Sequence, residues 1–557
     1  MMPAKRALVR WLAALGIVMV SLLAAASASA AENYVNAQLP WHEAVLDAQG
    51  KLLAWHQPEK NRGYDKVLRL GWDFLEHKVP ADTRHGTGLK IYLINSVYHP
   101  DTLQGFNWQH NPAMLYAAMV DSLLGWYPYS ADEEAIRVVR EMLDHQLANG
   151  TTPADWEWAS VPFATNCDDE PKYGRCIQNM PREFFGGIET DKIGELGAGY
   201  TLFYEMTGER KYLEAALRSA EALAKHVRPG DAEHTPWPFR VNARTGEVLA
   251  REEFGGNVVA SVRMFDELIR LRAGDTTRFQ KARDMAWKWM LDHPLNSMSP
   301  AWDKWSGYFE DVPKSTENVN QTAPTMTAYY ILTRDDPAAV DADWIPHVGH
   351  LIDWVRRRFG RGPFFGAWGI DEQGTLDGHG CCSRAGLGSD TSRWAAINAM
   401  YYERTGDTQA REDAFRSLNY ATYFAGEDGR VSCCGRGFGD PYWFSDGYGD
   451  YLRHFIWGMG AVPEWAPAAE NHLLRSTSVI QRVSYGERSV EYRTFDAAGT
   501  QVLRLNFKPT RIMAGGTALN ERNDLREEGY TVQSLAGGDY VLRVRHTKSN
   551  QVSVTAR

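Results

Sequence analysis

A repeat constrains this chain more than any single motif does. Helical hairpins recur along it with a period of about 60 to 70 residues. Ile193–Val227 reads as two amphipathic helices around a turn at Thr207-Gly208-Glu209. Val258–His293 turns at Ala273-Gly274-Asp275, and Thr325–Phe359 near Asp335-Asp336-Pro337. Trp394–Phe424 turns at Thr405-Gly406-Asp407, and an earlier copy, Ala113–Leu147, near Pro128. Each half sets Ala, Leu, Tyr and Trp at helical period. Each glycine-acid turn reads as a helix stop followed by an N-cap. A sixth hairpin can be assembled from Gly63–His77 and Asp450–Met459. Six hairpins closing on themselves form a toroid with an inner and an outer ring of helices. An open helical solenoid is the alternative.

The pattern changes after Pro463-Glu464-Trp465-Ala466-Pro467. From Ser476 onward, stretches such as QVLRLNF and YVLRVRH alternate with period two between glycine-containing turns. They predict a small antiparallel sandwich, read as a packing appendage, with a binding module as the alternative. The fold class is therefore mainly α, an (α/α)6 toroid followed by a β-sandwich. The expected division is 1–30 as an export signal, 31–465 as the toroid and 466–557 as the sandwich. Lys5, Arg6 and Arg10 precede an apolar run from Trp11 to Ala26 and a small-residue cleavage site at Ala28-Ser29-Ala30. That is the grammar of a bacterial-type secretory signal. It points to a periplasmic or secreted protein, with no membrane attachment once the signal is removed.

Charge and aromatic content narrow the function. The 557 residues carry 60 Lys+Arg against 70 Asp+Glu, and this acidic balance argues against a nucleic-acid partner. The 20 tryptophans exceed what a core needs and hint at a cleft lined by rings. The six cysteines Cys167, Cys176, Cys381, Cys382, Cys433 and Cys434 suit an oxidising compartment. They are disulfide candidates of open connectivity, and no C-x-x-C metal spacing is present. All six lie in the long connections between hairpins, which in an alternating ring emerge on one face. Function collects on such loops.

A six-hairpin toroid with a β-sandwich appendage resembles the (α/α)6 carbohydrate-active superfamily of glycoside hydrolases and polysaccharide lyases. The resemblance covers about Gly63–Trp465 plus the tail and implies a carbohydrate substrate. It rests on architecture, and no catalytic signature of one family is carried across. The candidate residues come from the rim itself. Glycoside hydrolysis needs two carboxyl groups across a sugar, one of them protonated. The segment Glu189-Thr190-Asp191-Lys192-Ile193-Gly194-Glu195 sets acids at an inner helix, beside Gly186-Gly187. Asp446, in a stretch dense in aromatics, acids and glycines, is the other candidate. Glu189, Asp191 and Asp446 are thus the expected acid/base set, with helix capping the competing reading, strongest for Asp191.

A lyase would use other groups. β-Elimination from a uronic acid needs a base such as Tyr448 or His379, with Asn320, Gln321 or Arg393 meeting the carboxylate. Arg393 at a helix start opposes the helix dipole, so it calls for a partner, either a structural carboxylate or an anionic substrate group. Acids outnumber bases on the rim, which favours hydrolysis over elimination of a polyanion. Trp156, Trp158, Trp237, Trp305 and Trp443 are candidate sugar platforms. Epimerisation and non-catalytic glycan binding are further alternatives. No phosphate-binding or zinc-helix motif appears, so no organic cofactor is expected, and calcium is left open.

Overall fold

The computed structural model describes residues 41–82, 88–93, 97–98, 102–103, 105–106, 112–164, 186–249, 253–255, 257–302, 305, 321–371, 386–431, 442–443 and 448–556. Among these residues the toroid is built of twelve α-helices. They are α1 Gly63–Asp73, α2 Pro112–Ser130, α3 Glu133–Asn149, α4 Thr190–Thr207, α5 Arg210–His226 and α6 Val258–Arg270. The second half continues with α7 Thr276–Asp292, α8 Thr322–Leu332, α9 Trp344–Phe359, α10 Gly388–Thr405, α11 Thr408–Ala421 and α12 Asp450–Ala461.

Even-numbered helices form the inner ring. Each packs on the next in the order α2, α4, α6, α8, α10, α12, and α12 returns to α2, which closes the circle. The open solenoid is excluded. As the sequence implied, the sixth pair joins the two ends of the toroid, with α1 packing on α12. Burial follows position. Helix α4 is buried on nearly every side, while α5 buries a stripe at Tyr212, Ala215, Ala216, Ser219, Ala220 and Leu223. A helix covered all round must be apolar or small all round, whereas an outer helix needs one apolar face.

The short turns inside hairpins work largely as their residues suggest. Gly208 and Gly406 end α4 and α10 at positive φ, which a Cβ-bearing residue resists. Asp275 and Asp407 then accept backbone N–H bonds at the starts of α7 and α11. Two details differ. Helix α2 runs through Pro128 to Ser130, and the chain turns instead at Ala131, with Asp132 capping α3. Glu209 precedes α5 without capping it, because its carboxylate is taken by Arg140 at 2.9 Å and Lys211 at 3.2 Å.

Two strands brace the loop face: β1 Gly187–Glu189 pairs antiparallel with β2 Arg240–Asn242. The tail contributes β3 His472–Ser476, β4 Ile480–Gly486, β5 Ser489–Thr494, β6 Gly499–Leu505, β7 Arg511–Ala514, β8 Thr517–Ala518, β9 Gly529–Ser534, β10 Tyr540–His546 and β11 Gln551–Thr555. They make two antiparallel sheets of order β3-β6-β10-β9 and β4-β5-β11-β7-β8. Alternation along β5 buries Val490, Tyr492 and Thr494 and exposes Glu491 and Arg493, the pattern of a half-buried strand. The sandwich sits on the C-terminal ends of the inner helices, with β3 against α2 and α12 and β4 against α2 and α4. The opposite face, where the inner helices begin, carries the long connections.

Candidate active site

Six inner helices beginning on one face bring six positive dipole ends together. Acids gather there. Asp191, Asp390 and Asp450 all lie in the first turns of inner helices. Beneath them a buried chain of alternating charge crosses the ring. Arg263 of α6 grips Asp121 of α2 with two bonds of 2.9 and 2.7 Å. Arg453 of α12 donates to the same Asp121 at 3.1 Å and pairs also with Asp450. Asp450 pairs in turn with Arg393 of α10. Arg393 reaches Asp390 at 3.1 Å, Gln321 Oε1 at 2.8 Å and Thr322 Oγ1 at 3.2 Å, at the start of α8. Five of the six inner helices are joined this way.

The electrostatics follow from the pairing. Burial pushes the Asp450 carboxyl up, but the guanidinium groups of Arg393 and Arg453 outweigh it and hold it well below the usual range. Asp121 behaves likewise, between Arg263 and Arg453. His454 is fully buried; burial pushes its imidazole well below its ordinary value despite Asp450 nearby. Its Nδ1 meets Ser392 Oγ at 2.9 Å, and Arg453 Nε donates to its Nε2 at 3.2 Å. That is a neutral imidazole with a proton on Nδ1. These groups pair with one another across the ring and brace it. Arg393, the cation at the wrong end of a helix, has found structural carboxylates.

The sixth inner helix, α4, is different. Glu189 stands just before it, buried, with Arg240 Nε donating to Oε1 at 2.6 Å across the β1–β2 register. Its Oε2 is buried with no hydrogen-bond partner among the described residues. Asp191 accepts from its neighbour's backbone N–H at 2.9 Å, and Lys192 Nζ lies 3.3 Å from Oδ2. Burial raises the Asp191 carboxyl and the Glu189 charge adds to the rise, against the opposing pull of Lys192. One turn deeper, Glu195 accepts from Asn257 at 2.5 Å. A cavity of about 50 Å³ lies there, lined by Glu195, Asn257, Asp121, Arg263, Thr322 and Arg453. It has room for a few waters. Glu189 and Asp191 sit toward the loop face from it.

Other expected site residues are distributed differently. Tyr448 is fully buried, stacks on Phe74 at 5.4 Å and donates to the Gly429 carbonyl at 3.2 Å. It packs the ring and offers no base to a ligand. Trp158 and Trp305 are buried, and Trp158 stacks on His226 at 4.0 Å, so neither is a rim platform. Trp237 is buried too and donates to the Leu223 carbonyl. Trp156 is half-buried, edge-on to Phe163, and a Cβ at Gly186 would meet its ring at 3.0 Å. Gly186, at positive φ, thus makes room for a tryptophan. Gln321 is buried on Arg393, and Trp443 lies on a short strand paired with Val97. His379, Asn320, Asp446 and all six cysteines lie outside the described residues.

One described group has metal-ligand chemistry. Asp65, Glu470 and His472 place ligand atoms within 4.8 Å of one another at the seam between ring and sandwich. Arg69 already pairs with Asp65 and Arg62 with Glu470, while His472 Nδ1 meets the Tyr129 carbonyl. Ion pairing accounts for the group.

A closed ring of six helical hairpins with its acids at one mouth defines the class, an (α/α)6 toroid. Solved structures of similar architecture come from carbohydrate-processing enzymes. A cellobiose 2-epimerase from Spirochaeta thermophila matches with a TM-score of 0.48 and 10% identity, over 73% of this chain and 98% of that one. A family 76 glycoside hydrolase from a bovine Bacteroides thetaiotaomicron strain matches at 0.43 and 9%, over 74% and 80%. An unsaturated glucuronyl hydrolase specific for heparin matches at 0.41 and 10%, over 72% and 96%. No family model matches the chain, and no curated protein matches it. A fold of this kind does not by itself choose a chemistry. No described helix is long and apolar enough to cross a membrane.

Proposed function

We propose that the protein is a carbohydrate-processing enzyme that hydrolyses glycosidic bonds, with Asp191 as general acid and Glu189 as its carboxylate partner. The observation that carries this reading is the contrast between two neighbouring acids. Asp191 is raised by burial and by Glu189, while Glu189 has a fixed cation in Arg240. A carboxyl raised by burial beside a second carboxylate is suited to hold the proton that a general acid gives. In the proposed step Asp191 gives its proton to the glycosidic oxygen. The C1–O bond breaks with its electrons on that oxygen, which leaves as an alcohol. Water adds at C1, and its surplus proton passes to Glu189. Tyr448, one of the two bases named for elimination, is tied to the Gly429 carbonyl in the core, which favours hydrolysis; His379, the other, lies outside the described residues.

The test is a panel of neutral and acidic polysaccharides, read for new reducing ends and for the ultraviolet absorbance of an elimination product. The expected result is reducing ends without absorbance, abolished in Asp191→Asn. Ultraviolet-absorbing products, or full activity in both Asp191→Asn and Glu189→Gln, would overturn the proposal.

A further inference from the structure

The outer face of the sandwich presents an unusual surface. A groove of about 760 Å³ runs over the sheet β4-β5-β11-β7, lined by Arg482, Arg493, Arg511, Ser484, Gln551 and Ser553 among others. The strand register explains why these side chains share a face. Arg482 stands opposite Arg493, and Arg493 opposite Gln551. Ser484 stands opposite Glu491, Glu491 opposite Ser553, and Arg511 opposite Thr555. The three arginines are exposed.

Two features of this face need an explanation. First, the chain is acidic overall, with 70 acids to 60 bases, and arginines elsewhere in it are commonly paired, as Arg504 is with Asp539. Arg482, Arg493 and Arg511 form no ion pair with a carboxylate among the described residues. Second, like charges directly opposite on adjacent strands repel and cost stability. The Arg482–Arg493 pair bears that cost, and among the described residues lining the groove Glu491 is the one acid to offset it. An anion seated in the groove would relieve it.

We infer that this face binds a single chain of anionic polysaccharide. Guanidinium groups match carboxylate or sulfate oxygens with paired N–H donors. Hydroxyl and amide groups between them, from Ser484, Ser553, Thr555 and Gln551, suit sugar hydroxyls. Other anions fit less well. Among the described residues lining the groove Tyr492 is the one aromatic and it is buried, so they offer no ring for a nucleic-acid base to stack upon. Among the described residues the exposed large apolar side chains Leu46, Met298 and Ile345 all lie elsewhere and Met513 in the groove is half-buried, so this face offers no exposed apolar side chain to a lipid surface. The site is remote from Asp191, on the far end of the ring, and does not depend on the hydrolytic reading. It would tether the protein to an acidic polymer independently of what the mouth acts on.

The test uses the full chain with polygalacturonate, heparin and dextran in affinity electrophoresis. Single-stranded DNA and vesicles containing phosphatidylglycerol serve as rival anions. The expected result is retardation by one or both acidic polysaccharides and not by dextran, weakened by salt. Replacing Arg482, Arg493 and Arg511 together by Ala should weaken it at least about tenfold, with thermal melting no lower than in the parent. Lysine at the same positions should restore part of the affinity, since it keeps charge without the paired geometry. Asp191→Asn should leave binding intact even though it stops turnover. Equal retardation by dextran, binding unchanged in the triple variant, or preference for DNA or vesicles over both polysaccharides would each overturn the inference.

Discussion

Asp450 offers the sharpest test of how the ring is held. Its carboxylate is fully buried and lies between two buried guanidinium groups, Arg393 and Arg453. Asp450→Ala leaves both cations short of a counter-charge, and breaking a buried pair from one side costs about 3–5 kcal/mol. Each arginine keeps other partners. Arg393 retains Asp390 and Gln321, and Arg453 retains Asp121. The expected loss is therefore near the lower end, about 3 kcal/mol, a large share of an ordinary folding free energy. Urea unfolding at neutral pH, followed by tryptophan fluorescence, measures it. Pairing depresses the folded carboxyl, so its contribution is fully present above the unfolded carboxylate range. That contribution is lost as pH falls toward the folded value, and the gap between parent and Asp450→Asn should narrow in acid. Combining Asp450→Ala with Arg393→Met should recover part of the loss, because the stranded charge goes too. A loss below about 1 kcal/mol, or strict additivity in the double variant, would refute a structural clamp.

The pH dependence of turnover should report the pair at the mouth. A general acid must hold its proton, so activity falls as pH rises through the raised Asp191 value; Glu189→Gln should move any residual alkaline limb to lower pH, and Lys192→Met should move it higher, both read from rate profiles. Gly194→Ala should lower the melting temperature, since its Cβ would sit 2.6 Å from the Ser261 backbone N where α4 meets α6, and overpacking of that kind costs about 1–3 kcal/mol. His472→Ala should loosen the sandwich, because the ring stacks on Tyr129 at 3.9 Å and bonds its carbonyl; the expected loss is about 2 kcal/mol, with earlier proteolytic cleavage between 461 and 472.

Periodicity carried the helices because each outer helix must bury one stripe, and the glycines at 208 and 406 mark turns that only their residue type favours. Even the sixth pair was legible, since Gly63–His77 and the stretch from Asp450 had no other partner. The site was harder to see. Asp450 and Asp121 look in sequence like ordinary helical acids; their meaning arises only where α2, α6, α10 and α12 converge. The partner for Arg393 was foreseeable from the helix dipole, but its identity was not. Tryptophan misled for a related reason. A double ring of helices has two buried layers to fill, and Trp72, Trp158, Trp305, Trp354 and Trp394 fill them. An aromatic count cannot distinguish a filled annulus from a lined cleft.

The joint between α1 and α12 also sets an order of events. Tyr64 donates to Asn419 across 355 residues of chain, and α12 lies farther along still. Closing so long a loop adds little to the equilibrium cost, since each doubling of length adds only about 0.6 kcal/mol. Kinetically the effect is larger, because distant contacts form late. Five hairpins can assemble from neighbours as they are made, and α1 meets α2 early through Trp72 on Trp126, but its side facing α12 stays uncovered until nearly the whole toroid exists. The earliest helix of the ring is thus the last to be fully covered, and a chain halted before residue 450 keeps an open seam that exposes α2 and α10 together.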